Sequence, residues 1–147
     1  MTMPEAVEKI YALEDVATVA AELAKLCQDC SVITFEGPLG AGKTTVIREL
    51  LRALGVTQPV TSPTFTYLHV YEDGQGRMFY HFDLYRLGSL DEFLAAGFDE
   101  HLNASGSVIL VEWPAVIEPL LDERVCRVTL DYHPESDKRV LRLTRGV

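Results

Sequence analysis

The 147-residue sequence lacks the features that mark membrane, secreted and disulfide-rich proteins. No apolar run approaches the roughly 20 residues that a membrane-spanning helix needs. Residues 1–9 have neither the basic start nor the apolar middle of a secretory signal peptide. The three cysteines are few and odd in number, which does not suggest a disulfide framework. These absences predict a soluble, cytoplasmic protein from a reducing compartment, with no membrane partner.

Basic residues are also scarce. Only 13 lysines and arginines stand against 22 aspartates and glutamates, and the formal net charge is −9. A protein that binds a nucleic-acid backbone by itself usually presents a basic face, because lysine and arginine supply the affinity by displacing counterions. Autonomous nucleic-acid binding is therefore disfavoured, although an acidic protein can still act on nucleic acid through a partner protein. The length predicts one compact domain, residues 1–147.

Two of the cysteines, Cys27 and Cys30, form a C-x-x-C pair. A redox or zinc role would require a strand-to-helix turn at the pair, or a second pair of ligands elsewhere. The sequence offers neither, since the pair closes an amphipathic helix. We therefore expect the cysteines to be structural.

Hydrophobic periodicity and turn residues divide the chain into alternating strands and helices. The predicted strands cover residues 8–12, 31–36, 64–72, 77–85, 107–112, 124–132 and 138–144. The predicted helices begin near residues 16, 43, 89 and 114, and the third opens with a Ser-Leu-Asp-Glu capping box. Strand–loop–helix units mixed with two hairpins predict an α/β fold with a mixed parallel and antiparallel sheet flanked by helices.

The strongest chemical signal is a glycine-rich loop at residues 37–44, which fits G-x-x-x-x-G-K-[ST] at every defined position. Its glycines allow successive N–H groups to point at phosphates, and the following helix directs its positive end at the same anion. Lys43 would reach the β- and γ-phosphates, and the Thr44 hydroxyl would ligate Mg²⁺. A chance turn would not lie between a buried strand and an amphipathic helix. The loop predicts binding of ATP or ADP with Mg²⁺ by Gly37, Leu39, Gly40, Ala41, Gly42, Lys43, Thr44 and Thr45.

Two carboxylates end predicted strands. Glu112 follows the apolar run 108–111, as a Walker B acid does, and is the candidate second Mg²⁺ ligand; the alternative is a surface glutamate. Asp83 could position an attacking water, or could equally be a turn residue paired with Arg86. His81 lies on the same face of its strand as Asp83, but a histidine in a strand is more often packed than catalytic.

Hydroxyl groups and a tryptophan accompany these acids. The loop 61–64 supplies Thr61, Ser62 and Thr64, and in nucleotide switches such a hydroxyl can sense the γ-phosphate through Mg²⁺. Trp113, the only tryptophan, directly follows Glu112 and should lie near the metal ligand. A plain loop and a core tryptophan would account for the same residues without a functional role.

Four segments together resemble one family: G-P-L-G-A-G-K-T-T, S-P-T-F-T, H-F-D-L-Y-R-L and V-E-W-P. Their order and approximate spacing, from about residue 32 to residue 114, are similar to those of the TsaE family of bacterial ATPases in threonylcarbamoyladenosine modification of tRNA. The resemblance implies a P-loop domain with a mixed sheet and ATP hydrolysis that is weak alone and stimulated by partners. The implied partners are the threonylcarbamoyl transferase subunit and its paralogous companion, with tRNA reached only indirectly through that complex.

The same resemblance implies roles for individual residues. It makes Lys43, Asp83 and Glu112 the catalytic residues, and Thr44 and Glu112 the Mg²⁺ ligands. Its further nucleotide-binding positions are Thr64, Trp113 and Arg139. Leu13, together with either Lys138 or Arg139, would flank the adenine. The chain departs from the family loop at Pro38, where an aspartate is usual, and so loses one backbone N–H and one carboxylate.

Two other functions stay open on the sequence. A small P-loop metabolite kinase would need an acceptor pocket and a mobile lid that carries arginine. After Glu112 the chain offers only Arg124 and Arg127 before its final hairpin, both in a predicted strand. The second alternative is a nucleotide-gated binding module that requires ATP occupancy but not hydrolysis, and the composition is compatible with it.

Overall fold

The computed structural model describes residues 6–63, 65–103 and 105–145. Within these ranges seven strands form one sheet, in the order β1-β7-β6-β2-β5-β4-β3. The strands are β1 Ala6–Ala12, β2 Val32–Glu36, β3 Leu68–Glu72, β4 Met78–Asp83, β5 Val108–Glu112, β6 Cys126–Tyr132 and β7 Lys138–Arg145. The helices are α1 Val16–Leu26, α2 Lys43–Ala53, α3 Leu90–Ala95 and α4 Asp99–Leu102, with 3₁₀ segments at Leu13–Asp15 and Pro114–Leu120.

The sheet has a parallel centre and antiparallel edges. Strands β6, β2, β5 and β4 run parallel to one another, while β7 pairs antiparallel with β6 and β1, and β3 pairs antiparallel with β4. The carboxyl ends of the parallel strands therefore meet at one edge of the sheet, where α/β proteins bind ligands. The predicted α/β class and mixed sheet are confirmed.

Helices cover both faces of this sheet, and all five residues of the central strand β5 are therefore buried. Val108 and Leu110 belong to the core under α1 and α2, whereas Ile109 and Val111 belong to the core under α3, α4 and the second 3₁₀ segment. Alternate side chains of a strand point to opposite faces, so a strand buried on both sides reads as a continuous apolar run. Among the helices in the described ranges, none is long and apolar enough to cross a membrane.

The structure differs most from the predicted elements at the start of one strand and at one additional helix. The strand expected over residues 64–72 begins only at Leu68, because the Tyr67 N–H donates to the Pro63 carbonyl and Tyr67 has a φ of 65°. This turn precedes the pairing with β4. Helix α4 was not predicted, since four residues are too few to show a helical period. The capping box is confirmed, because Ser89 Oγ accepts the Glu92 N–H.

The cysteines include one disulfide that their number and spacing in the sequence did not predict. Cys30 and Cys126 form a disulfide, and the sulfur of the free, buried Cys27 lies within 4.8 Å of both of the others. Cys30 lies just before β2 and Cys126 begins β6, and these two strands are parallel neighbours. The two residues are 96 positions apart, so their spacing in the sequence does not reveal the pairing. All three side chains lie in the core beneath α1 and α2.

Candidate nucleotide site

The glycine-rich loop joins the end of β2 to the start of α2, and its backbone requires glycine at two of its positions. A Cβ atom at Gly37 would lie 2.3 Å from the Leu130 carbonyl oxygen, so β6 leaves no room for a side chain there. Gly42 is the N-cap of α2 with a φ of 98°, a left-handed value that residues with side chains rarely adopt. No side chain in the described residues caps this helix, so its first N–H groups are available to an anion.

Pro38 leaves the loop's internal hydrogen bonds intact. Its carbonyl oxygen accepts the Ala41 N–H at 3.1 Å and the Lys43 ammonium at 3.0 Å. Neither bond uses the N–H that proline lacks. The proline that replaces the usual aspartate at this position therefore removes an N–H donor that the loop does not use in its own hydrogen bonds.

The Lys43 side chain folds back over the loop. Its ammonium group donates to the Gly37 carbonyl at 2.6 Å and lies 4.2 Å from the centroid of the Trp113 ring. Burial lowers the pKa of Lys43 below its usual value, while the nearby Glu112 and Asp83 carboxylates act in the opposite direction. The ammonium is thus a buried cation at the mouth of an anion-binding loop.

Thr44 and Glu112 bring two kinds of oxygen donor together. The Thr44 hydroxyl lies 3.0 and 3.1 Å from the two carboxylate oxygens of Glu112. Glu112 ends β5, is only 3% exposed, and also lies 2.7 Å from His81 Nε2 through its Oε2. Hydroxyl and carboxylate oxygens are hard donors of the kind that Mg²⁺ prefers. The residues present therefore fit a magnesium site.

Asp83 ends β4 directly beside Glu112, its partner in the parallel register. Its carboxylate accepts the Ser62 hydroxyl at 3.1 Å and the Tyr85 N–H at 3.1 Å. The guanidinium group of Arg86 lies instead 5.3 Å from the ring centroid of Phe65. The structure therefore favours a carboxylate that faces the site over the alternative of a turn residue paired with Arg86.

A single open cleft of about 570 Å³ collects most of these groups. Its lining consists of Leu39, Gly40, Gly42, Lys43, Thr44, Thr45, Ser62, Asp83, Tyr85, Arg86, Glu112 and Trp113. Trp113 has a left-handed φ of 58° and packs against Tyr85 at 4.8 Å between ring centroids. Left-handed backbone is uncommon for residues with large side chains and tends to occur at ligand sites.

Some predicted site residues lie elsewhere. Thr64 lies outside the described residues. Arg139 lies beyond the cleft lining, with its guanidinium group 4.8 Å from the ring centroid of Tyr132. Tyr132 in turn donates its hydroxyl to the Leu39 carbonyl, so this tyrosine connects Arg139 with the glycine-rich loop. Lys138 borders a separate open cavity of about 300 Å³ between β1 and α1.

Two residues and one contact of the site were not predicted from the sequence. Tyr132 is 93 positions from Leu39, and no local pattern connects them. Tyr85 belongs to the L-Y-R string but was not singled out, and the contact of His81 with Glu112 was not anticipated. The alternation along β4, which puts His81 and Asp83 on one face, was the signal that could have found it.

A glycine-rich loop between a central parallel strand and a helix, with an acid on the neighbouring strand, defines a P-loop NTPase fold. Comparison with protein families agrees: the family described as threonylcarbamoyl adenosine biosynthesis protein TsaE matches residues 10–141. The chain belongs to the TsaE family.

Individual relatives are similar over most of their length. The chain is 35% identical over 127 residues to the tRNA threonylcarbamoyladenosine biosynthesis protein TsaE of Bacillus subtilis, covering 86% of the chain and 78% of the relative. It is 36% identical over 137 residues to the protein of the same name from Aquifex aeolicus, covering 90% of each. The crystal structure of Bacillus subtilis YdiB has a TM-score of 0.78 and 29% identity, covering all of this chain and 90% of the other.

Proposed function

We propose that this protein is a Mg²⁺-dependent ATPase that acts in the biosynthesis of threonylcarbamoyladenosine in tRNA. The observation that carries the proposal is the convergence of Lys43, Thr44, Asp83 and Glu112 on one cleft at the mouth of the glycine-rich loop. The pathway is taken from the names of the relatives, whose sequences align with most of the chain.

Each residue has a role that follows from its position. The backbone N–H groups of the loop and of the first turn of α2 bind the phosphates, and Lys43 exchanges its carbonyl partners for phosphate oxygens. Thr44 and Glu112 hold Mg²⁺, which would supply charge neutralisation at the β- and γ-phosphates. Asp83 orients the water that attacks the γ-phosphate and accepts its proton. Its contact with Ser62 ties the loop before β3 to this step.

Partner proteins complete this function in the proposal. The threonylcarbamoyl transferase subunit and its paralogous companion bind the protein and stimulate an otherwise weak hydrolysis, and tRNA is contacted only through them. The net charge of −9 supports this indirect route. Large apolar side chains near the cleft support a partner surface there, since Leu39, Phe65 and Tyr85 are 61%, 81% and 51% exposed. Arg86 lines the cleft and stacks on the exposed ring of Phe65, so a partner that binds Phe65 would also contact this cation.

The test combines affinity capture with turnover. The tagged protein should retain both transferase subunits when ATP and Mg²⁺ are present, and their addition should raise its ATP hydrolysis by an order of magnitude or more. Lys43→Ala should abolish the stimulated hydrolysis, whereas Lys25→Ala, an exposed lysine on α1, should not. Rapid phosphate transfer to a small hydroxyl compound would instead identify a kinase. Pathway support by a Glu112→Gln variant that binds ATP without hydrolysing it would identify a nucleotide-gated module.

A further inference from the structure

His81 is a fully buried imidazole with one ring nitrogen that has no hydrogen-bond partner in the described residues. It lies on β4 with 0% of its surface exposed. Its Nδ1 atom has no hydrogen-bond partner within the described residues. A buried polar atom without a partner lowers stability, so such a group in a folded protein calls for an explanation. The other ring nitrogen supplies one.

That nitrogen, Nε2, lies 2.7 Å from Oε2 of Glu112. A carboxylate oxygen without a proton only accepts hydrogen bonds, so Nε2 carries a proton and donates it to Oε2. This assignment of the proton follows from the hydrogen-bond network. The imidazole therefore donates its Nε2–H to the candidate metal ligand.

The carboxylate of Glu112 is thereby held from two sides. The Thr44 hydroxyl, at the start of α2, lies 3.0 Å from Oε1 and 3.1 Å from Oε2. The imidazole approaches Oε2 from β4, where His81 is paired with Leu110, two residues before Glu112 on β5. Side chains two apart on a strand share a face, so β4 brings both His81 and Asp83 to the side of the sheet where the Glu112 carboxylate lies.

We propose that His81 is a positioning residue, whose Nε2–H fixes the Glu112 carboxylate in the orientation that holds Mg²⁺ together with Thr44. The proposal rests on the proposed nucleotide site. Groups that hydrogen-bond a metal ligand set its orientation, and their loss typically weakens metal binding about 10- to 100-fold. His81 therefore contributes to the affinity for Mg²⁺. It does not contribute to the affinity for nucleotide in the absence of the metal.

Two substitutions separate this role from simple packing. Gln can place an amide N–H close to the position of imidazole Nε2, whereas the shorter Asn reaches only the position of Nδ1. Both replace the ring with a carboxamide, and they differ by one methylene in length. We expect His81→Gln to keep the wild-type response to Mg²⁺ within about 3-fold, and His81→Asn to lose about 10-fold in Mg²⁺ affinity.

The measurement is calorimetric titration with ADP, first in EDTA and then over a series of Mg²⁺ concentrations. In EDTA both variants should match the wild type within about 2-fold, because the phosphate-binding groups are unchanged. With Mg²⁺, only His81→Asn should require more metal. Equal losses in Gln and Asn, or a wild-type Mg²⁺ response in Asn, would overturn the proposal.

A double mutant tests the route through Glu112. In a Glu112→Gln background the change from His81 to Asn should cause no further loss of Mg²⁺ affinity, because the group that it orients is already gone. Full additivity would show that His81 acts independently of Glu112 and would overturn the proposal. A wild-type protein that binds ADP equally with and without Mg²⁺ would instead refute the metal site of the proposed function.

Discussion

At the scale of single residues, Lys43 is held by groups that a phosphate would replace. Its ammonium group is bound by the carbonyl oxygens of Gly37 and Pro38 and stacked on the Trp113 ring. A carbonyl carries only a partial charge, and a phosphate oxygen carries a full one, so phosphate is the stronger acceptor for a buried cation. Occupation of the loop by nucleotide should therefore shift the ammonium away from the indole.

Trp113 should report this shift through its fluorescence. It is the only tryptophan in the chain, so the signal has one origin. We expect a saturable change in emission with ADP and Mg²⁺ that is smaller in EDTA and in Thr44→Val, which removes the hydroxyl but keeps the shape. The measurement is a titration corrected for inner-filter absorption. Flat emission in a sample that binds nucleotide by calorimetry would contradict the placement of the site beside Trp113.

Asp83→Asn should separate binding from turnover. The amide oxygen can still accept the Tyr85 N–H, so the local fold is kept, but the group no longer accepts a proton. We expect ATP affinity within about 3-fold of the wild type and a loss of partner-stimulated hydrolysis of about 10²-fold or more. Asp73→Asn, the same change in the turn between β3 and β4, is the control and should leave hydrolysis unchanged. Parallel losses of affinity and rate in Asp83→Asn would indicate a structural role.

At the scale of secondary-structure elements, the end of β6 braces the glycine-rich loop. The Tyr132 hydroxyl donates to the Leu39 carbonyl, and a Cβ at Gly40 would lie 2.9 Å from that hydroxyl oxygen. Tyr132→Phe removes the bond and keeps the ring, so nucleotide affinity should fall about 2- to 10-fold, in line with one hydrogen bond. Tyr80→Phe, whose ring stacks on His101 outside the cleft lining, is the matched control. Unchanged ADP affinity in Tyr132→Phe would show that the loop keeps its shape without this brace.

The disulfide between the starts of β2 and β6 gives a second prediction at this scale. Burial raises the pKa of the Cys27 thiol to about 11, so at pH 8 only about one molecule in a thousand carries the reactive thiolate. Iodoacetamide should therefore modify the folded, unreduced protein very slowly. After unfolding it should modify one cysteine, and after unfolding and reduction three, as counted by mass spectrometry. Three modified cysteines without reduction would show that Cys30 and Cys126 are not bonded.

The same elements show how far the sequence alone could lead. The glycine-rich loop, the buried strand ending at Glu112 and the amphipathic helix after Lys43 are local patterns, so periodicity and spacing predicted them. The contacts of Tyr132 with Leu39 and of Cys30 with Cys126 depend on which strands are neighbours. Periodicity shows that a side chain is buried, but not against which strand, so these contacts had to come from the structure.

At the scale of the whole molecule, an acidic net charge and an anion-binding loop coexist because the groups that would contact a phosphate are few and local. The chain carries a net charge of −9, yet Lys43, Arg86 and the first turn of α2 face one cleft. A nucleotide needs only this local field, whereas a nucleic-acid backbone needs an extended basic surface. The distribution of charge thus agrees with the proposed function, in which the protein binds a nucleotide itself and RNA is contacted by partners.

Binding in this cleft should stabilise the entire fold, because its lining comes from α2, the ends of β4 and β5, and the connecting loops. A ligand that binds only the folded state adds about 2.7 kcal/mol to the free energy of unfolding at a concentration one hundred times its dissociation constant. For a chain of this size that corresponds to a rise in melting temperature of about 5–10 °C. Differential scanning fluorimetry with ADP and Mg²⁺ measures it. Lys43→Ala should reduce the rise and Lys25→Ala should not. The quantity compared is the nucleotide-induced shift of each variant, not its absolute melting temperature. A melting temperature that does not move at saturating Mg²⁺-nucleotide would contradict nucleotide binding by the folded protein, and with it the function proposed for this cleft.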